Sequence, residues 1–173
     1  MDNNFWKNKP LSEFTDEEWE AVCMRCGKCC LHKITENNKI CFTNLMCDGY
    51  DFKTGKCKRY ATRLCDDCVK VDMHLLTEEP ELLPETCAYR LLLAGKELPA
   101  YHPLVSGSFA SVHEAKQTVL EIPKIYSVTK LDELLLKCGE VIKDDNCPPE
   151  KQKELLDQLE KLQPICIARY DIP

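Results

Sequence analysis

The crowding of cysteines into one part of the chain constrains this protein more than any other feature of its sequence. Ten of its 13 cysteines lie within the 65 residues from Cys23 to Cys87. The first ten residues lack the basic segment and the apolar stretch of an export signal, which predicts a cytoplasmic protein. Because cytoplasmic thiols are kept reduced, the spacing predicts metal ligation or redox chemistry ahead of disulfides. Disulfides stay an alternative if the compartment is a different one.

Length, charge and hydropathy exclude several classes of protein. The 173 residues suit one domain, or one domain with an appendage, that buries a core of its own. No apolar run approaches the roughly 18 residues that span a bilayer, so we predict no membrane partner. The net charge is −6 and the sequence pattern shows no basic face, which argues against a nucleic-acid partner.

The densest cysteine motif is a CxxCxxCC run made by Cys23, Cys26, Cys29 and Cys30. Two cysteines separated by two residues can bind one metal, because a turn brings their sulfurs together in zinc knuckles and iron–sulfur loops alike. Three cysteines at successive spacings of this kind favour an iron–sulfur cluster, since a single zinc is usually held by two pairs that are distant in sequence. Cys29 and Cys30 are adjacent and point in different directions, which suggests that one of them serves a second centre.

Local signals predict a helix that carries the first two of these cysteines. Thr15 and Glu18 form the pattern of a capping box, and the apolar spacing predicts a helix over 15–26 with Cys23 and Cys26 on its core-facing stripe. Residues 31–84 show little periodicity, apart from a short extended piece at 40–43. We therefore expect an irregular segment that a bound metal organises.

A second helix is predicted from about Cys87 to Ala94, with Thr86 as its N-cap. Cys87 would lie in its first turn. Helix N-termini stabilise negative charge, so the sequence predicts a lowered pKa for the Cys87 thiol.

The last third of the chain has a different character. Residues 119–128 resemble an edge strand, and residues 129–173 predict two helices followed by a short strand at 165–170. Cys138 and Cys166 fall on apolar faces of these elements and are predicted to be ordinary small hydrophobic residues. We expect this region to be a helical extension that packs against the cysteine-rich part.

Several longer motifs closely resemble the YcgN-like cysteine-cluster proteins. These motifs are CxxCGxCCLHK at 23–33, FTNxxC at 42–47, CxxY at 57–60, DCxK at 67–70 and LPxTCAYRLLxxGKxLPxxHPLxxGS at 83–108. This small bacterial family of uncharacterised function belongs to the wider YkgJ-type group of CxxCxxCC proteins, which are predicted to chelate zinc or iron. The resemblance implies a domain over 1–128 and a separate extension over 129–173. It also implies eight cofactor-binding and metal-binding cysteines: Cys23, Cys26, Cys29, Cys30, Cys47, Cys57, Cys68 and Cys87.

Other polar residues have weaker claims to a functional role. Cys41 and Cys65 lie within the cysteine-rich region without belonging to the family pattern. Each is expected either to be a structural residue or to take part in metal ligation or redox pairing. His32 follows the CxxCxxCC run and is an alternative ligand or a hydrogen-bond donor to a sulfur. His102 is expected either to line a substrate cleft or to be satisfied by the local turn. The acidic pair Asp66 and Asp67 is predicted to be solvated.

These observations predict a small, loop-rich α+β fold, organised by metal and cysteine-rich, with a helical C-terminal extension. The first functional hypothesis is a cytoplasmic protein that holds one or two iron–sulfur clusters and acts with a protein or redox partner. The second is a zinc-binding structural or interaction module. The third is an enzyme with a catalytic metal centre, which distant relatives that methylate proteins suggest only by analogy. The sequence itself shows no nucleophile with its base, no GxGxxG and no P-loop.

Overall fold

The computed structural model describes residues 4–60, 68, 70–143, 148–162 and 164–171, and it is a mixed α+β structure. The helices are α1 (Phe5–Asn8), α2 (Asp16–Val22), α3 (Met73–Glu78), α4 (Ala88–Leu93), α5 (Pro103–Ser106), α6 (Ala110–Glu114), α7 (Val128–Ile142) and α8 (Pro149–Lys161). The strands are β1 (Leu31–Glu36), β2 (Lys39–Met46), β3 (Tyr50–Asp51), β4 (Lys56–Cys57), β5 (Tyr126–Ser127) and β6 (Cys166–Asp171). Single 3-10 turns lie at Leu11–Glu13, Lys28–Cys30, Pro80–Leu82 and Val119–Glu121. No helix among the described residues is both long enough and apolar enough to cross a bilayer.

Strand β2 is the centre of a four-stranded sheet. It pairs antiparallel with β1 along one edge, and along the other edge it pairs antiparallel with β6 and parallel with β5. Asn37 and Asn38 both adopt left-handed backbone angles in the two-residue turn between β1 and β2, a conformation that asparagine tolerates well. The prediction of an irregular segment over 31–84 is therefore wrong for residues 31–46, and it is also wrong for α3 at Met73–Glu78, whose N-cap is Asp72.

Burial on both faces explains why the sequence pattern did not reveal β2. Every residue from Ile40 to Met46 is buried, so the strand lacks the alternation of apolar and polar residues that marks a half-exposed strand. Its side chains Phe42 and Met46 join Leu31, Tyr50 and Val119 in one hydrophobic cluster.

A second hydrophobic cluster surrounds α2 and α4, with Phe5, Val22, Leu76, Leu83 and Tyr89 among its members. The capping box at the start of α2 is confirmed, since the Thr15 side chain accepts from the Glu18 amide and the Glu18 carboxylate accepts from the Thr15 amide. The helix ends at Val22, four residues before the predicted end, and Cys23 is its extended C-cap. The prediction of a shared helical stripe for Cys23 and Cys26 is wrong.

Helices α7 and α8 pack on each other through a third cluster of Leu134, Cys138 and Leu162. The small hydrophobic role predicted for Cys138 is confirmed, because its side chain is buried in that cluster. The edge strand predicted over 119–128 is present only as β5 at its end, where α7 begins at once with Ser127 as N-cap. The predicted strand at 165–170 is confirmed as β6.

A disulfide joins Cys41 of β2 to Cys166 of β6, with 5.5 Å between the two Cα atoms. The prediction that Cys166 is an ordinary hydrophobic residue is therefore wrong. In the register of the two strands Cys41 lies opposite Arg169 and Cys166 lies opposite Thr43, and the register falls out of step between Phe42 and Thr43. The two cysteines are therefore diagonal neighbours across the β2–β6 pair, at a Cα separation that a disulfide can span. The last strand of the chain is thus tied covalently to the centre of the sheet.

Candidate metal centre

The backbone after α2 changes direction twice within five residues. Arg25 and Gly27 both have left-handed backbone angles, with φ of 56° and 77°. A Cβ atom on Gly27 would lie 2.7 Å from the Tyr50 ring, so only glycine fits this position. The Cys30 amide then donates to the Gly27 carbonyl, closing the 3-10 turn that carries Cys29 and Cys30. These turns wrap the CxxCxxCC segment around the Tyr50 ring.

A first group of thiols lies against the cluster around α2 and α4. Cys23, Cys29 and Cys87 pack directly on that cluster. Burial and then the neighbouring Cys29 raise the pKa of the Cys23 thiol to about 11. Burial also raises the pKa of Cys26, with further contributions from Cys29, Cys23 and Cys87. Each of these four cysteines is therefore close enough to the others for its charge to be felt.

The environment of Cys87 differs from the sequence prediction. Cys87 is itself the N-cap of α4, in place of Thr86, and its side chain makes no capping hydrogen bond. Burial raises the pKa of the Cys87 thiol to about 12 and outweighs the lowering by the backbone amides of Arg90 and Tyr89, so the predicted lowering is wrong. Desolvation penalises a thiolate here by more than two amide dipoles favour it.

A second group of thiols lies beside the cluster around β2. The Cys47 amide donates to the Cys30 carbonyl at 3.0 Å, and Cys57 pairs with Tyr50 across strands β3 and β4. A Cβ atom on Gly49 would lie 3.4 Å from the Cys57 sulfur and 3.5 Å from the Cys47 sulfur. Because Gly49 has no side chain, the Cys47 and Cys57 sulfurs can both lie next to its Cα atom. The pKa of Cys30 is raised by the hydrogen bond that its protonated thiol donates to Cys29, by burial, and by the neighbouring thiols of Cys29, Cys47 and Cys57.

Lys33 lies between the two groups, and the sequence analysis did not single it out. Its ammonium donates to the backbone carbonyls of Cys29 and Leu31, at 2.8 and 2.9 Å. Burial lowers the Lys33 pKa, whereas the thiols of Cys29, Cys30 and Cys68 raise it. A cation held at this point favours negative charge on sulfurs of both groups. Its place in the motif CCLHK was the available signal.

In the described residues, no three His, Cys, Asp or Glu side chains are gathered closely enough to hold a metal ion. Cys29 belongs to the first group and the adjacent Cys30 belongs to the second, so the two groups of thiols adjoin each other. The arrangement is a set of partly buried thiols on two adjoining surfaces.

The remaining candidate residues have other environments. His102 is fully buried, and its ring nitrogens contact the Val22 carbonyl at 2.9 Å and the Leu104 amide at 3.1 Å, so it is satisfied within the core. His32 lies half-buried on β1. Cys41 belongs to the disulfide described above. Cys65, Asp66, Asp67 and Cys147 lie outside the described residues.

Comparison with known proteins gives several close relatives. A UPF0260 protein of Granulibacter bethesdensis is 47% identical over 115 residues, which cover 64% of this chain and 69% of the relative. The UPF0260 protein YcgN of Salmonella paratyphi A is 45% identical over 125 residues, or 70% of this chain and 84% of the relative. A UPF0260 protein of Klebsiella pneumoniae is 46% identical over 122 residues, or 68% and 82%. No family model and no solved structure matches the chain.

The fold and the thiol groups define a small, cysteine-rich α+β protein. Identity of this level over more than two thirds of the relatives' length shows that the chain belongs to the UPF0260 family, whose function is uncharacterised. The resemblance to YcgN-like proteins inferred from the motifs is thereby confirmed.

Proposed function

We propose that this protein binds metal at two thiolate centres and uses them for electron transfer. The first centre takes the four cysteines that surround α4 and the CxxCxxC run: Cys23, Cys26, Cys29 and Cys87. The second takes the four that surround Gly49 and Lys33: Cys30, Cys47, Cys57 and Cys68. The observation that carries the proposal is that Cys23, Cys29 and Cys87 pack against the cluster around α2 and α4, whereas Cys30 packs against the cluster around β2. The Cys47 and Cys57 sulfurs lie together beside Gly49.

The chemistry of the donor set fits such centres. All eight donors are sulfurs, which suit iron–sulfur clusters and zinc and are poor ligands for hard cations such as magnesium. They are partly buried beside apolar side chains, where a bound cluster is shielded from solvent. Lys33 supplies positive charge next to both groups and would offset part of the negative charge of thiolate-bound metal. When bound, a cluster would supply one-electron chemistry that the protein side chains lack.

The CxxCxxC run favours iron–sulfur clusters over zinc. Three of the first centre's four proposed ligands lie within seven residues, and the fourth, Cys87, comes from a distant helix. This division of ligands is typical of iron–sulfur loops. A zinc-stabilised structural or interaction module is the second candidate, because a donor set made only of thiolates suits zinc as well.

Anaerobic purification followed by iron, sulfide and zinc analysis tests this proposal. We expect iron with acid-labile sulfide and a broad absorption near about 400 nm. A colourless protein with about two zinc ions would favour the module instead. A protein that retains neither metal while folding normally would contradict both.

Single substitutions test the division into two centres. Cys26→Ser should remove the metal of the first centre, Cys57→Ser should remove that of the second, and each variant should keep about half of the total. Cys138→Ser is the matched control, since this buried thiol lies in the α7–α8 cluster and should leave the metal content unchanged. Circular dichroism of each variant checks that folding is retained. Equal metal loss from all three variants would refute the assignment.

A further inference from the structure

The hairpin formed by β3 and β4 carries a dense group of exposed cations. Lys53, Lys56, Lys58 and Arg59 are all exposed, and we call these four residues the basic hairpin. Residues 25–59 contain eight Lys or Arg and three Asp or Glu, in a chain whose net charge is −6. Residues 25–59 therefore carry a net charge of +5, while the rest of the chain carries a net charge of −11. The net charge of the whole chain conceals this face.

Two described carboxylates of this segment, Asp48 and Asp51, accept hydrogen bonds from groups other than the four cations. Asp51 accepts from the Lys53 amide at 2.9 Å and from the Thr54 hydroxyl at 3.0 Å, and Lys58 lowers its pKa further. The Asp48 carboxylate accepts hydrogen bonds from the Thr129 amide and hydroxyl. The ion pairs found among the described residues join Lys9 with Glu18, Lys70 with Asp72 and Arg169 with Glu36. None of them involves the four cations of the hairpin.

Exposed aromatic rings lie beside these cations. Phe52, in the hairpin turn, is 45% exposed and packs edge-on against Tyr50. The Arg25 guanidinium stacks on Phe109 at 4.0 Å, and that ring is 40% exposed. Gly55 brings the hairpin against Arg25, since a Cβ there would lie 3.3 Å from the Arg25 carbonyl. Aromatic residues and arginine are the residues most enriched in protein interfaces.

The basic hairpin also adjoins the second group of thiols. Cys57 lies between Lys56 and Lys58 in the sequence. A Cβ atom on Gly49 would lie 3.6 Å from the Arg59 guanidinium, close to the 3.4 and 3.5 Å that separate it from the Cys57 and Cys47 sulfurs. A partner seated on the hairpin would therefore lie directly over Cys47 and Cys57.

We infer that the basic hairpin is a docking surface for the acidic face of a protein partner. This docking does not depend on the proposed metal centres. A protein fits better than nucleic acid or an anionic membrane. Nucleic acids and anionic membranes engage many cations at once, whereas this surface combines four cations with the exposed rings of Phe52 and Phe109, a combination typical of protein interfaces.

Binding of a synthetic polyglutamate peptide of about 20 residues tests the docking surface. The full-length protein is compared with two quadruple variants that lose the same charge. One is K53A/K56A/K58A/R59A, and the matched control is K137A/K151A/K153A/K161A on the exposed faces of α7 and α8. We expect the hairpin variant to bind about thirtyfold more weakly, since each exposed ion pair contributes a factor of about two to three. The control should bind as the wild type does, and wild-type binding should weaken steeply with added salt.

Equal binding by the hairpin variant and the wild type would overturn the docking surface. Tighter wild-type binding of a single-stranded oligonucleotide, or of phosphatidylserine vesicles, than of polyglutamate would overturn the choice of an acidic protein. Metal analysis of the same samples separates this inference from the proposed function. Metal-free protein that still requires the hairpin for peptide binding would refute the metal centres alone, and metal-loaded protein indifferent to the hairpin would refute the docking alone.

Discussion

Mild acid should destabilise this protein through His102. The side chain is fully buried between α2 and α5, and the partners of its ring nitrogens define its protonation state. Nε2 must donate to the Val22 carbonyl, which can only accept, and Nδ1 must accept from the Leu104 amide, which can only donate. The imidazole is therefore neutral, and protonation of Nδ1 would place two donors face to face.

The direction of the pH effect follows from the folded-state pKa. Burial lowers the pKa of His102 below its ordinary value of 6.5, although the bond to Val22 opposes this shift. Between these two pKa values the unfolded chain binds a proton that the folded protein does not. The contribution of His102 to stability is therefore complete above about pH 6.5 and declines as the pH falls below it. The free energy of unfolding should fall by at most about 1.4 kcal/mol for each pH unit through this one group.

Urea denaturation at pH 8, 7, 6 and 5 measures this slope in the wild type and in His102→Asn. The asparagine oxygen can still accept from the Leu104 amide but cannot be protonated in this range. Above about pH 7, loss of the Val22 bond should make the variant about 1–3 kcal/mol less stable than the wild type, because it leaves a buried carbonyl at the end of α2 without its partner. As the pH falls from 7 to 5 the wild type loses the contribution of His102 and the variant does not, so the difference between the two proteins should shrink.

An exposed histidine gives the matched control. His74→Asn on α3 should run parallel to the wild type at every pH. Glu18 does not interfere, since its pKa lies below 4.5 and its contribution is lost only at lower pH. A constant free-energy difference between wild type and His102→Asn from pH 8 to pH 5 would refute the assignment of the neutral, pH-sensitive imidazole.

Three further predictions concern the disulfide, the turn at Gly27 and the helical extension. Cys166→Ser should lower the free energy of unfolding by up to about 5 kcal/mol, because the bond spans 125 residues, and denaturation midpoints that do not respond to a reductant would contradict this. Gly27→Ala should cost more than Gly95→Ala in thermal unfolding, since both glycines have positive φ but only Gly27 would place a Cβ against a ring; equal losses would show that the Tyr50 contact is unimportant. In urea denaturation, Leu134→Ala should lower the free energy of unfolding by about 2–4 kcal/mol, whereas Leu136→Ala at an exposed position should change it by less than about 0.5 kcal/mol. Similar losses for both variants would show that the core-facing side of α7 has been assigned incorrectly.

Local signals in the sequence were sufficient where a structural feature depends on neighbours in the chain. The capping box of α2, the presence of a second helix in the C-terminal region and the burial of Cys138 are decided by propensity, capping and periodicity within one or two turns. The CxxCxxCC motif likewise identified the thiols that the structure brings near one another, because short spacing alone forces proximity. The two asparagines before β2 were a further local signal of a turn, although the prediction over 31–84 did not use them.

Features that depend on distant parts of the chain were decided by the tertiary structure. Helix α2 stops at Val22, where the imidazole of His102, eighty residues later, takes up the helix carbonyl. Cys87 has a raised pKa because side chains remote in sequence bury it, and this desolvation exceeds the local effect of the helix end. Cys41 meets Cys166 only because β6 returns to β2. The sequence by itself determined which residues are thiols and how closely they follow one another, whereas long-range packing decided which of them are neighbours and how far each is removed from water.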